Sequence, residues 1–265
     1  MSVYYKVPRT RGLYGKGAQA PFDISRSKIE LSLECPRCFY LDRKLGVGRP
    51  PGFPFNLNSA VDTLLKKEFD AHRATQTQHP LQEHYGIDAV PVRHDDLDEW
   101  RHNFTGVRVY HKPTHFNVFG AIDDLWQNKK GEYIVVDYKA TSKEGKIESL
   151  DKEWQDGYKR QMEIYQWLLR QKGYPVSDTG YFVYCNGATD KEAFDARLEF
   201  DVTLIPYTGN AAWVEGAILE AKRILEGDAI PPKSSACDYC AFFEARDRVT
   251  KKGTPPTEQV HQSLF

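Results

Sequence analysis

Apolar positions along the chain fall into a few helical stripes and several short runs of strand character. Leu57, Val61, Leu64, Leu65 and Phe69 recur at helical spacing and predict a helix over residues 57–73. Another begins at Ser25 or Ser27, either of which can cap it. It carries Ile29, Leu31 and Leu33 over residues 25–43. A long helix is expected over residues 154–172, with Ile164, Trp167 and Leu168 on its buried face and Gly173 at its end. A further one covers 211–225, before Gly227 and Pro231-Pro232. Residues 107–110, 116–126, 133–138, 181–184 and 198–204 read as strands. Residues 75–103 are polar with scattered His and Pro and receive no assignment. The order is helices, antiparallel strands, then strands mixed with helices. It predicts an α/β or α+β fold around one mixed sheet flanked by helices.

Composition changes this picture little. The 265 residues fit one large domain or two small ones. With 36 Lys plus Arg against 37 Asp plus Glu, the net charge of −1 argues against a basic nucleic-acid coat and an acidic tail. No run approaches the roughly 18 apolar residues of a membrane span. The first 20 residues lack the apolar core of a signal peptide. A soluble cytoplasmic protein with no membrane contact is expected. Lys6, Arg9, Arg11 and Lys16 precede the first acid, Asp23, among breaker residues, so residues 1–22 read as a flexible basic arm. Residues 248–265 read as a flexible tail, and 23–247 as one domain. No Gly-x-x-x-x-Gly-Lys phosphate loop occurs, and the eight histidines show no metal-type spacing.

The chemistry concentrates in one hairpin. Asn128-Lys129-Lys130-Gly131 forms the turn between strands 116–126 and 133–138. Positions equidistant from a turn near residue 130 face each other, and Asp123 and Asp137 are such a pair. Neighbouring strands lie about 4.8 Å apart, so the two carboxylates can share one cation. Asp123 and Asp124 fall on opposite faces, and Gly120-Ala-Ile-Asp123 gives Asp123 the better register. Lys139 shares the face of Asp137 by strand alternation. Two acids beside a lysine suit phosphodiester hydrolysis assisted by Mg²⁺ or Mn²⁺. The lysine would orient the attacking water and stabilise the transition state. Gln161 and Tyr165 lie one turn apart on the long helix and could reach a phosphate or base. In isolation that pair reads as helix amphipathicity.

Gly120-x-x-Asp123, Asp137-x-Lys139 and Gln161-x-x-x-Tyr165, in this order, resemble the PD-(D/E)XK nuclease superfamily, and more narrowly its RecB-like branch with the CRISPR-associated exonucleases. The resemblance implies a restriction-endonuclease-like core and a metal-dependent deoxyribonuclease acting on single-stranded DNA or duplex ends, in repair, recombination or CRISPR-type processing with partner proteins. Asp123 and Asp137 would bind the metal, Lys139 would position water, and Gln161 and Tyr165 would order the substrate. In that branch an early Gly-x-x-x-His often adds a ligand. Here the stretch reads Asn58-Ser-Ala-Val-Asp62, so Asp62 stands at the ligand position. The departure also admits a non-cleaving DNA-binding or scaffold module.

Cys35-Pro-Arg-Cys38 and Cys237-Asp-Tyr-Cys240 are two C-x-x-C knuckles. Together they can close a thiolate site on Zn²⁺ or hold an iron–sulfur cluster. Some RecB-like members are similar in holding a 4Fe–4S cluster with one early and three late cysteines. This chain has two and two, which leaves 4Fe–4S and Zn²⁺ both open. Cys185 reads as a buried bystander. Among the basic residues after the hairpin, Lys159 is the candidate nucleic-acid contact. Ser263-Leu-Phe265 resembles the end of sliding-clamp-binding peptides, with His261 in place of the usual Gln.

Overall fold

The computed structural model describes residues 8–52 and 54–252, so the clamp-like end at 261–265 lies outside the described residues. In chain order the elements are β1 (Phe22–Ser25), α1 (Arg26–Glu34), α2 (Pro36–Arg43), α3 (Asn56–Thr75), α4 (Pro80–His84), β2 (Ala89–Pro91) and α5 (Leu97–Arg101). β3 (Val107–His111), β4 (Phe116–Gly120), β5 (Asp124–Asn128) and β6 (Tyr133–Thr141) follow. A 3-10 turn then leads into α6 (Asp156–Gln171), β7 (Thr179–Gly187), β8 (Phe200–Thr208), α7 (Val214–Glu226) and α8 (Asp238–Lys252).

The chain divides into two compact units. The larger comprises residues 18–30 and 52–220. The smaller comprises the described residues up to Gly17, Leu31–Pro51 and the described residues from Ala221 onward.

The larger unit holds two mixed sheets where one was expected. Five strands run in the order β2-β5-β6-β7-β8, and three in the order β1-β4-β3. The strand expected over 116–126 is two strands, one in each sheet. The backbone leaves β4 at Gly120, and the Ile122 N–H donates to the Trp100 carbonyl at 3.1 Å instead of to a strand. β5 and β6 then form the expected hairpin, with Asp124 opposite Val136 and Trp126 opposite Ile134. Gly131 at its turn has φ +80°, which an L side chain rarely adopts.

β6 is central, antiparallel to β5 and parallel to β7. Its residues Tyr133 to Tyr138 are buried, which is why both of its faces are apolar in sequence. Ile134, Val136 and Tyr138 pack with Leu65 and Phe69 of α3 and with Trp126. The alternate residues, Val135, Asp137 and Lys139, face the other way by the pleat. α6 supplies the crossover between β6 and β7, and Met162 lies so close to Gly180 of β7 that a Cβ there would meet its sulfur.

In the smaller unit, the helix expected over 25–43 is broken. Cys35 is extended (φ −159°, ψ 105°) because Pro36 excludes helical backbone before it, and the proline starts α2. The basic arm is partly tied down: Arg9 N–H donates to the Gly46 carbonyl, and Tyr14 N–H to that of Arg43. α8 was not anticipated, and it runs through residue 248, where a tail was expected, to Lys252. Among the described residues no helix is long and apolar enough to cross a membrane.

Candidate active site

The end of β6 positions the central pair. Asp137 is wholly buried, and Lys139 Nζ forms an ion pair with its Oδ2. That ion pair aside, neither Asp137 oxygen has a hydrogen-bond partner among the described residues. An orphaned, buried carboxylate is costly, and a hard cation is the partner such oxygens accept. Burial works against the charge on Lys139, but Asp137 and Asp123 outweigh it and raise its pKa. Its Nζ also lies 4.5 Å from the ring centroid of Tyr158.

Asp123 stands just before β5. Its Oδ2 accepts the Tyr138 N–H at 2.9 Å, which fixes the carboxylate beside the neighbouring strand. Burial first, and then the charge of Asp137, push Asp123 up to about 6. A carboxylate raised by the charge of a second one beside it is the kind of donor pair that can share a cation.

Asp62 joins the acids through a residue the sequence did not single out. Lys66 Nζ lies 2.9 Å from Asp62 Oδ2 and 3.9 Å from Asp123 Oδ1. Burial raises the Asp62 carboxyl, Lys66 opposes, and Asp123 adds to the rise.

From α6, Gln161 Nε2 donates to the Tyr165 hydroxyl at 3.0 Å. Burial raises the Tyr165 phenol, Arg26 opposes, and the charges of Asp137 and Asp123 add to the rise. Its ring lies against Gly120, where a Cβ would sit 2.7 Å from Cε1. The glycine that opens the first motif is therefore a space requirement for the aromatic ring of the last. Lys159 forms an ion pair with Asp156 at 3.0 Å, one turn away on its own helix.

The sequence choice between Asp123 and Asp124 has a structural answer. Asp124 is wholly buried on the α3 side and is saturated. Arg73 Nη2 reaches its Oδ1 at 2.5 Å, Arg101 Nη2 reaches the same oxygen at 2.7 Å, and the Tyr138 hydroxyl donates to Oδ2 at 2.9 Å. Burial opposes the charge on Arg101, but Asp124 and Asp70 outweigh it and raise its pKa. Nothing at Asp124 is left for a ligand.

A profile of the PD-(D/E)XK nuclease superfamily matches residues 23–245. The chain belongs to that superfamily. No curated protein shows significant similarity to it. In this nuclease-superfamily chain, every carboxylate and lysine proposed for chemistry falls in the larger unit.

Beside the acids, the superfamily core opens into a cavity of about 640 Å³. Ala140 to Lys143, which continue β6 past Lys139, form one wall. Phe55, Trp154, Tyr158 and Phe200 bring aromatic rings to it. Phe55 is 73 % exposed and Trp154 51 %, and Lys143 Nζ lies 4.0 Å from the Trp154 ring centroid. Asn58, at the head of the Asp62 stretch, bonds the Ala140 carbonyl at 2.6 Å and fixes α3 against this wall.

The smaller unit gathers the four predicted cysteines. Cys35, Cys38, Cys237 and Cys240 are all buried, and their sulfurs lie within 4.8 Å of one another. Burial raises the Cys35 thiol, but backbone donors of Cys38 and Ser234 outweigh it and bring it down to about 7. Cys185 is a buried residue of β7, and burial pushes its thiol up to about 11. It takes no part in the cluster.

Proposed function

We propose that the chain is a divalent-metal-dependent nuclease that hydrolyses phosphodiester bonds of DNA. The observation that carries this reading is Asp137: a buried carboxylate with orphaned oxygens, beside a second acid and a lysine, in a PD-(D/E)XK fold. Asp137 and Asp123 would hold Mg²⁺ or Mn²⁺, with Asp62 as a further ligand. When bound, the ion supplies charge neutralisation at the phosphate and a more acidic water.

The chain's own residues do the rest. Lys139 presents a cation to the attacking water and the phosphate oxygens. Gln161 keeps the Tyr165 hydroxyl oriented toward the acids, where it can hold a phosphate oxygen. Lys159 contacts the backbone of the strand further out. The aromatic cavity next to Lys139 accepts unpaired bases, because ring stacking tolerates any base. This favours single-stranded DNA or frayed duplex ends. The RecB-like motif order supports a role in repair, recombination or CRISPR-type DNA processing, with a cytoplasmic location where thiols stay reduced.

The test is cleavage of labelled single-stranded, duplex and flapped DNA with Mg²⁺ or Mn²⁺, wild type beside Asp137→Ala. Cleavage that needs the metal and is lost in the variant is expected. Equal cleavage by both proteins, or cleavage in chelator, overturns the reading. One observation favours a second reading, a DNA-binding module without activity: Lys66 already sets a cation between Asp62 and Asp123. That reading requires DNA binding that is the same with and without metal, and no cleavage of any substrate.

A further inference from the structure

We propose that the four cysteines of the smaller unit hold one tetrahedral zinc ion, not an iron–sulfur cluster, and that Arg49 is the positioning residue of that centre. Resemblance to the RecB-like branch left a 4Fe–4S cluster open, and the sulfur geometry does not fit it. Cys35 and Cys240 sulfurs are 3.8 Å apart, and Cys38 Sγ is 3.6 Å from both Cys237 and Cys240. A tetrahedral ion with zinc–sulfur bonds of about 2.3 Å places its thiolates about 3.8 Å apart. The cysteine sulfurs around a four-iron cube stand about 6 Å apart, because the cube itself lies between them. All four sulfurs here fall within 4.8 Å of each other. A two-iron cluster fails for the same reason, since its thiolate pairs sit at opposite ends. The space fits one ion.

Two C-x-x-C knuckles and a soft, all-thiolate donor set favour zinc among single tetrahedral ions. Four ligands leave no open position, so the centre is structural and carries no chemistry of its own.

Four thiolates around a divalent ion leave a net charge of −2, and the surroundings must offset it. Arg49 does so. Its Nη2 lies 3.6 Å from Cys237 Sγ. Its other nitrogen Nη1 is held by Glu34 at 2.5 Å, and the guanidinium lies 4.7 Å from the Tyr239 ring centroid. A cation held this way orients the thiolates and slows their protonation and loss of metal. The inference stands whether or not the larger unit cleaves DNA.

The full chain should be purified anaerobically from cells supplied with both iron and zinc. Its metal, acid-labile sulfide and absorbance spectrum are then measured. A colourless protein with one zinc per chain is expected, and exchange with Co²⁺ should give the intense bands of a tetrahedral cobalt thiolate. A brown protein with iron and labile sulfide overturns the proposal. So does iron without labile sulfide, or a folded protein without metal. The role of Arg49 is read from zinc release to a chelator. Arg49→Ala should release zinc about 10-fold faster, and Arg49→Lys should recover part of that difference. Equal release from all three removes Arg49 from the centre.

Discussion

Asp124 and Asp137 are both wholly buried on adjacent strands of one sheet, and they have opposite surroundings. Asp124 meets two guanidiniums, a tyrosine hydroxyl and a backbone N–H. Asp137 meets one ammonium and, among the described residues, no other hydrogen-bond donor. Burial and charge are therefore no guide to function by themselves. What separates the two acids is whether the protein has already supplied the counter-charge. A saturated carboxylate holds the fold together. A starved one leaves room for a counter-charge from outside, which is what the proposed metal would supply.

Substitution should split the two. Asp137→Ala is expected to lower metal-dependent cleavage by on the order of 10³-fold, the scale of losing a main electrostatic group in a site. Its melting temperature should fall less than that of the Asp124 variant, because Lys139 loses one partner but keeps the charge of Asp123. A large loss of stability in this variant would erase the distinction. Asp124→Ala should do the reverse. Leaving Arg73 and Arg101 without their shared partner should destabilise the fold by about 3–5 kcal/mol, measured by urea unfolding. Activity should survive wherever the variant remains folded.

Gly120→Ala tests the starved side without touching a charge. The added Cβ collides with the Tyr165 ring, so about 1–3 kcal/mol of stability and part of the activity should be lost. Combined with Tyr165→Ala, the Gly120→Ala cost should shrink, because the colliding ring is gone while its own cavity remains, and the rate should not recover. The smallest effect is expected beside the acids: Phe55→Ala or Trp154→Ala should weaken binding of single-stranded DNA by about 1–3 kcal/mol per lost stack. That appears as a raised KM with an unchanged kcat, and duplex DNA should respond less.

The Asp123–Asp137 proximity was legible because a hairpin is local. The turn at 128–131 sets the register of β5 against β6, and the observed pairing is the one expected. The same reasoning could not show that the chain leaves the sheet around Asp123. That break depends on a hydrogen bond to Trp100, in a region where five-residue helices and a three-residue strand are too short to display a period. α8 was invisible for a related reason: Phe242, Phe243 and Val249 are exposed, so it has no apolar stripe to read. Instead, Glu244 is pinned by Arg37 and Lys233 at 3.1 and 2.6 Å. Lys66 looked like an ordinary i, i+4 partner of Asp62, and its second carboxylate comes from far along the chain. The aromatic cavity draws on five separate stretches between residues 55 and 200, which no local pattern can assemble.

The distribution of the cysteines sets a timetable for synthesis. One knuckle is made within the first 38 residues, and the other is finished only at residue 240. Every acid of the candidate site, together with β2 to β8, lies between the two knuckles. Domains fold as their residues leave the ribosome, at about 5–20 residues per second. Once β8 is made, about 30 residues remain before the second pair of thiolates, so the complete sheets have roughly 1.5–6 seconds in which to form first. The four-thiolate site can therefore close only after the sheets have been made, and any ion it takes is captured after them.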